Sequence, residues 1–513
     1  MTTPTLYQLF ADSAARHPDR PALEVQGARL TYAELEESVA RLAGRITEEF
    51  GGVPDRVGIL AARSLPTYVG YLAALRLGAT VVPMNPAFPA ARNLEIATSA
   101  DVDLIVLDRA GAKQQDQLTA SHRALLMGET EDSLAEPYGK PVAPIAAPGD
   151  GIAYILHTSG STGHPRAVPI RHRNVVPAIS WVITEYDFGP DDRTSQNVEL
   201  TFDVAVYELF VTWGCGATLV VPRVDDVVRA SAFVNAQQIT HWFCVPSVGH
   251  LAARVGALAP GSMPSMRLVV FGGERLIAAQ AEQWAAAAPN AELHNLYGPT
   301  EVSILCTGQR LGERGELRGP GSNGTMPIGQ VLPHLDYVLL SEDGHPADPG
   351  ELCVRGNQRF DGYLDPAGDA GRFLIWEPGT TARVHTGDGP VTDRHWYRTG
   401  DRVRTEDGSL VFLGRVDDQV KVRGHRIEVG EIEAALTRHA HIREAVVVAR
   451  ESDLGGTLVA FYTGTEIPSG KLTSFLREQF PVYMIPGRFI HQEAFPLNAN
   501  GKVDRKALTT LAA

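Results

Sequence analysis

Apolar and polar positions alternate with two periods along the first half of the chain. Leu6, Leu9, Phe10 and Ala14 recur at helical spacing, and Leu65–Leu77 carries a second helical pattern. Between and after them lie short apolar runs: Arg56–Leu60, Thr80–Pro83 and Asp103–Leu107 read as strands. Ala153–His157, Arg267–Phe271 and Ala291–Asn295 read the same way, and each runs straight into a turn-rich loop. Strands alternating with helices predict α/β layers. In open sheets of that kind ligands bind past the strand ends, so three such loops predict one composite site. Residues 311–326 and 365–395 lack periodicity and read as loops. From Val416 the pattern changes. An alternating stretch, Gln419–Val422, precedes a helix over Gly430–His439, a strand over Ala445–Ala449, a helix over Lys471–Phe480 and a polar tail. This end reads as a separate small α+β unit.

Composition narrows the class. The chain has 513 residues, 44% hydrophobic and 21% charged, so it supports several packed domains. The formal charge of −14 disfavours nucleic acid, which needs a basic face. Four widely spaced cysteines, Cys215, Cys244, Cys306 and Cys353, form no C-x-x-C and read as buried thiols of a reducing, cytoplasmic setting. No basic, apolar leader opens the chain, and no apolar run reaches the ~18 residues of a membrane span. Only six of the 46 basic side chains are lysines, so a lysine at a chemical position is noticeable.

Five segments carry candidate chemistry. The run Thr158, Ser159, Gly160, Ser161, Thr162 and Gly163 follows a strand and offers hydroxyls and unhindered N–H groups to an anion, although a plain surface turn has the same composition. It does not fit the P-loop pattern. Gly319–Gly324 satisfies G-x-G-x-x-G but contains proline and lacks a preceding strand, so it reads as a loop. Asn295-Leu-Tyr-Gly-Pro-Thr-Glu301 combines an aromatic ring, a turn, a hydroxyl and a carboxylate, a set suited to a base, a phosphate and Mg²⁺. Tyr397–Asp401, Gly414–Glu433 and Asn500–Arg505 could supply a ribose-binding carboxylate, a charged hinge and a mobile cation; each could equally be a solvated loop. Among sixteen scattered histidines, His172 reads as surface.

In this order the segments resemble the core motifs of the adenylate-forming superfamily, and most closely the adenylation domains of nonribosomal peptide synthetases. Further matches are Leu30–Leu35, Leu77–Pro83, Phe202-Asp203, Gly350–Gly356 and Pro481–Pro486, so the likeness covers nearly the whole chain. It implies a large α/β body, residues 1–415, and a small mobile α+β lid, residues 416–513. It implies ATP-dependent formation of an acyl-adenylate with release of pyrophosphate, then transfer to a thiol. By resemblance, Thr158–Gly163 with Arg166 hold the pyrophosphate, and Thr300 and Glu301 meet the α-phosphate and Mg²⁺. Tyr297 flanks the adenine opposite Gly272, Gly273 and Glu274, with Asn295, Gly298 and Phe412 also at the nucleotide. Asp401 and Arg415 take the ribose, Lys502 bridges substrate carboxylate and AMP, and Asp417 is the hinge.

Asp203, after Phe202, matches the carboxylate that pairs with an α-ammonium, although Asp is also a common helix cap. The other matching pocket positions are Val204, Tyr207, Phe243, Val270, Leu296, Ile304 and Leu305. Apart from the Tyr207 hydroxyl they are apolar, which implies a small or medium aliphatic amino acid. No carrier-attachment segment follows Arg505, so the implied thiol partner is a separate phosphopantetheinylated carrier protein or CoA, with room for a helper protein. An acyl-CoA synthetase, a D-alanine–carrier ligase and a non-catalytic nucleotide-binding regulator are the rival readings. Two positions depart from the family: Pro165-Arg166-Ala167 stands where Pro-Lys-Gly is usual, and Arg402 where an apolar residue is usual.

Overall fold

Two largely parallel sheets carry the strands that feed the loops. In the computed structural model, which describes residues 4–128, 139–160, 165–313, 316–417, 419–422, 424–450, 456–496 and 503–512, the first sheet has six strands. Their order is Arg123–Leu126, Leu104–Leu107, Arg56–Leu60, Thr80–Met84, Ile152–Thr158 and Arg166–Arg171. All pairings are parallel except the last, where Ile152–Thr158 and Arg166–Arg171 form a hairpin around the phosphate-loop segment. The second sheet, of ten strands, holds Glu292–Tyr297, Leu268–Phe271 and His241–Cys244 side by side and parallel.

The helices expected from Leu6 and from Leu65 form, and between them lies a helix the periodicity did not announce. Tyr32–Phe50 starts in a capping box: Thr31 Oγ1 accepts the Glu34 N–H at 3.2 Å and Glu34 Oε2 accepts the Thr31 N–H at 2.8 Å. That reciprocal pair explains the Leu30–Leu35 motif. Helix Leu65–Arg76 is buried all round, which its sequence announces by having no polar face.

Several loop and tail expectations are corrected. Residues 316–317, 373–375 and 383–384 are strands too short to show a period inside regions read as loops, and the strand Thr307–Glu313 runs into the first of those regions. The tail is not merely polar: it contributes the strand Arg488–His491 and the helix Arg505–Leu511, and Thr457–Gly464 is a further strand. His172 is buried, not surface. Its Nδ1 accepts the Leu6 N–H at 3.1 Å, and burial lowers its pKa to about 4. The four cysteines are buried free thiols. Arg402 points to solvent from its strand, so its polarity costs no packing. No helix among the described residues is long and apolar enough to cross a membrane.

The C-terminal part builds its own cores. Ile427, Ile432, Leu436, Leu458 and Leu472 belong to one, and Val446, Phe461 and Leu508 to a second. Its two-stranded ribbon, Gln419–Val422 with His425–Glu428, extends from that core toward the body.

Candidate active site

The strand ends converge on a cleft with about 1120 Å³ of open space, solvent at its mouth included. Leu156–Ser159 enter it from the first sheet, and Gly273, Gly298, Pro299 and Thr300 from the second. Phe202 and Asp203 come from the start of helix Asp203–Cys215, and Asp401 and Arg415 from the antiparallel sheet that follows. The composite site expected from the loops is therefore assembled. Ser161, Thr162, Gly163 and Lys502 lie outside the described residues.

Asp203 is not a helix cap. Phe202 occupies the cap position, and Asp203 is the first helical residue, with its carboxylate in hydrogen-bond contact with Thr300. Burial raises its pKa to about 6, against the donors Thr300 and the Val204 N–H. Behind it, Tyr207, Phe243, Val270, Leu296, Ile304 and Leu305 are buried in one apolar cluster, with Val204 packed against it. The Phe243 ring sits edge-on to Tyr207 at 5.5 Å and close over Gly272, where an added Cβ would meet ring carbon Cζ at 2.7 Å. None of these side chains borders the open cleft, so the substrate end is shallow. Ile304 has φ 81°, a left-handed backbone rare for a β-branched residue; backbone strain of this kind gathers at functional sites.

On the nucleotide side, Asp401 accepts from Tyr297 OH at 2.5 Å and from Arg415 Nη1 at 2.8 Å. Arg415 also grips Asp417 in a two-point pair at 2.6 and 2.8 Å, and this pair outweighs burial to lower the Asp417 pKa. Asn295 donates to the Pro327 carbonyl and holds the loop shape, while Phe412 lies half-buried with its carbonyl on Asn323. Glu301 is buried just behind the cleft. It accepts from Tyr363 OH at 2.8 Å and Arg426 Nη1 at 2.9 Å, and Arg426 outweighs burial to keep its pKa low. A single such carboxylate fits Mg²⁺, which commonly takes one or two carboxylates and completes its shell with phosphate oxygens and water. Among the described residues no cluster of three or more His, Cys, Asp or Glu groups could hold a metal unaided.

Sequence reasoning missed the contribution of the C-terminal part. Lys421, Gly424, His425, Arg426, Tyr483 and Met484 close the cleft from the C-terminal side. Lys421 Nζ lies 5.8 Å from the Tyr297 ring centre, and burial lowers its pKa although Asp401 opposes this. The lysine shortage was the available signal, since Lys421 is one of the six. His425 stacks on Tyr483 at 3.6 Å and stands edge-on to Phe202 at 4.9 Å. Glu274 accepts the Ser247 N–H at 2.8 Å and also the Gly424 N–H. Glu208 is a further omission. It is fully buried, and accepts from Asn197 N at 2.9 Å and Val198 N at 3.1 Å. Asn197 in turn donates to the Phe243 carbonyl at 2.9 Å, so this carboxylate braces the pocket wall.

A model of the AMP-binding enzyme family matches residues 10–364, and one of the AMP-binding enzyme C-terminal domain matches residues 431–502. The chain belongs to the AMP-binding enzyme family, a class of ATP-dependent, AMP-forming ligases. It is 34% identical over 527 residues to tyrocidine synthase 3 of Brevibacillus parabrevis, covering 98% of this chain but 8% of that synthase. The chain thus spans a small part of the length of such curated relatives. Among solved structures it is similar to the Vibrio cholerae adenylation domain AlmE in complex with glycyl-adenosine-5'-phosphate (27% identity, TM-score 0.83, 99% of this chain and 97% of that one). It is also similar to holo-PA1221, a protein containing adenylation and PCP domains bound to a vinylsulfonamide inhibitor (25% identity, TM-score 0.79, 99% and 84%).

Proposed function

We propose that this protein adenylates a small apolar amino acid with ATP and passes the aminoacyl group to the phosphopantetheine thiol of a carrier protein. The observation that carries this reading is Asp203, a carboxylate set against an apolar wall beside Thr300. A plain carboxylic acid would leave that charge unpaired, which disfavours an acyl-CoA synthetase. AlmE bound to a glycyl adenylate and PA1221 with its carrier domain support the same two steps.

In the first step the substrate carboxylate attacks the α-phosphorus and pyrophosphate leaves. Negative charge gathers there, so the donors around Thr158–Ser159, Arg166 and Thr300 act by fixed electrostatics. Glu301, once released by Arg426, would hold Mg²⁺, which would supply neutralisation of phosphate charge. Asp203 orients the ammonium, while Asp401 takes the ribose. In the second step the carrier thiol, losing its proton, attacks the acyl carbon and AMP leaves; the lid holds Lys421 beside Tyr297 to stabilise that charge. The hinge at Asp417 separates body from lid in this reading.

Pyrophosphate exchange with a panel of amino acids tests the proposal. Exchange only with fatty or aryl acids would sink it, and nucleotide binding without any exchange would make the protein a regulator. Two variants sharpen it. Phe243→Ala uncovers Gly272 and deepens the pocket, so preference for leucine-sized over alanine-sized substrates should rise about 10- to 100-fold in kcat/KM. An unchanged ranking would show that Phe243 sets no size limit. Lys421→Ala should spare exchange and slow thioester formation from preformed adenylate by about one to two decades, as for loss of one charged donor. Equal loss in both steps would reject the lid role of Lys421.

A further inference from the structure

The residues after strand Gly350–Arg355 lie along the turn that follows Thr300 and Glu301. Two consecutive residues of that turn, Ser303 and Ile304, are left-handed, with φ 55° and 81°. Neither is glycine and Ile304 is β-branched, so the surroundings must hold them there. Gln358 does so. It is fully buried, and its Nε2 donates to the Val302 carbonyl at 3.0 Å and also to the Leu305 carbonyl. Those two carbonyls bracket the left-handed pair. The Gln358 backbone carbonyl accepts from Ser303 Oγ at 2.8 Å, and its Oε1 accepts from Nε2 of the exposed His334 at 2.5 Å. Carbonyls only accept, so the amide nitrogen must face the turn and Oε1 must face the histidine. Buried Asn174 fixes the segment that carries Gln358, donating to the Asn357 and Arg359 carbonyls at 2.6 and 3.0 Å.

One buried amide therefore clasps both ends of the turn. Ile304 and Leu305 run from it into the apolar cluster that holds Phe243 and Leu296. The turn has no room to tighten, since an added Cβ at Gly298 would meet Leu305 Cα at 2.5 Å. Apolar contact alone is non-directional, whereas two hydrogen bonds from one planar amide fix where the turn lies. We propose that Gln358 is a positioning residue for substrate size: its clasp holds Ile304 and Leu305 as a fixed wall of the amino-acid pocket. That this wall meets an amino-acid side chain rests on the adenylation reading above. The nucleotide side is anchored separately, because the Phe360 N–H donates to the Glu301 carbonyl at 2.9 Å. Opening the clasp should loosen the wall and leave Thr300 and Glu301 in place.

Gln358→Met keeps an unbranched side chain of similar length and removes both donors. In pyrophosphate exchange with the full chain, the amino-acid KM should rise about tenfold, while kcat falls less than about threefold and the ATP KM stays within about twofold. Preference for the best amino acid over its next larger homologue should drop about 5- to 10-fold, because a loose wall no longer excludes a methylene. His334→Ala, an exposed change that removes only the donor to Oε1, should move the same ratios by about two- to threefold. In both variants amide hydrogen–deuterium exchange should quicken over residues 300–306 and stay unchanged over the strand Arg56–Leu60. An unchanged size ranking, amino-acid and ATP KM rising together, or deuterium uptake quickened throughout the body would make Gln358 a fold residue only and overturn the proposal. Should Gln358→Met fail to fold, His334→Ala carries the same comparison. A wild type that exchanges pyrophosphate with no amino acid removes the adenylation reading, while loosening confined to 300–306 still upholds the clasp.

Discussion

Lys502→Ala should slow aminoacyl-adenylate formation by about two to three decades, the loss typical of a transition-state donor. Thioester formation from preformed adenylate should change by less than about twofold. The asymmetry follows from where the lysine is carried. Helix Arg505–Leu511, just beyond it, is fastened to the lid: Arg505 reaches Glu433 at 2.9 Å and the Val447 carbonyl at 3.1 Å, and Leu508 is buried in a lid core. That helix is therefore fixed to the C-terminal part, and Lys502 precedes it by three residues in the sequence. In this structure the lid lines the cleft with Lys421–Arg426 and Tyr483-Met484, and none of residues 503–512 borders it. In the proposed reading the face that holds Lys421 near Tyr297 serves one half-reaction, and Lys502 serves the other. Lysine suits this duty, being a compact charge on a flexible stem that can enter and leave. Single-turnover measurement of each step checks the prediction. Equal loss in both would mean that Lys502 holds the lid together and carries no reacting charge.

Much of the body was legible because its signals are local. The strand Ile152–Thr158 announces itself by an apolar run. The Thr31–Glu34 box is equally local, yet it stood in the sequence only as part of the matched Leu30–Leu35 motif. What escaped notice depends on contacts between distant segments. Arg92 meets Glu431 across 339 residues, and Arg426 meets Glu301 across 125. No period or spacing reveals such pairs. His172 misled for the same reason: two arginines flank it in sequence, but the N-terminal helix covers it in space. The depth of the substrate pocket was equally hidden. The identities of Tyr207, Phe243 and Leu296 predict an apolar wall, whereas the ring of Phe243 over Gly272 is a matter of packing.

Asp203→Ala should lower kcat/KM for the amino acid by about two to four decades and leave ATP binding within about twofold. Removing one partner of a buried ion pair costs about 3–5 kcal/mol, because the substrate ammonium would then enter an apolar pocket without a counter-charge. The wall behind Asp203 offers no substitute: its residues are apolar apart from the Tyr207 hydroxyl. The same group sets a pH limb. Burial raises the Asp203 pKa to about 6 in the free enzyme, so the carboxyl is charged above that pH and neutral below it. Use of the amino acid should therefore fall about tenfold per pH unit below 6, and Asp203→Asn should be slow but flat across the same range. Ammonium binding favours the carboxylate, so the limb should move to lower pH in kcat than in kcat/KM. Exchange kinetics against pH, with ATP affinity measured alongside, decides the matter. If ATP binding weakens as much as amino-acid use, Asp203 supports the loop through Thr300 and does not read the ammonium.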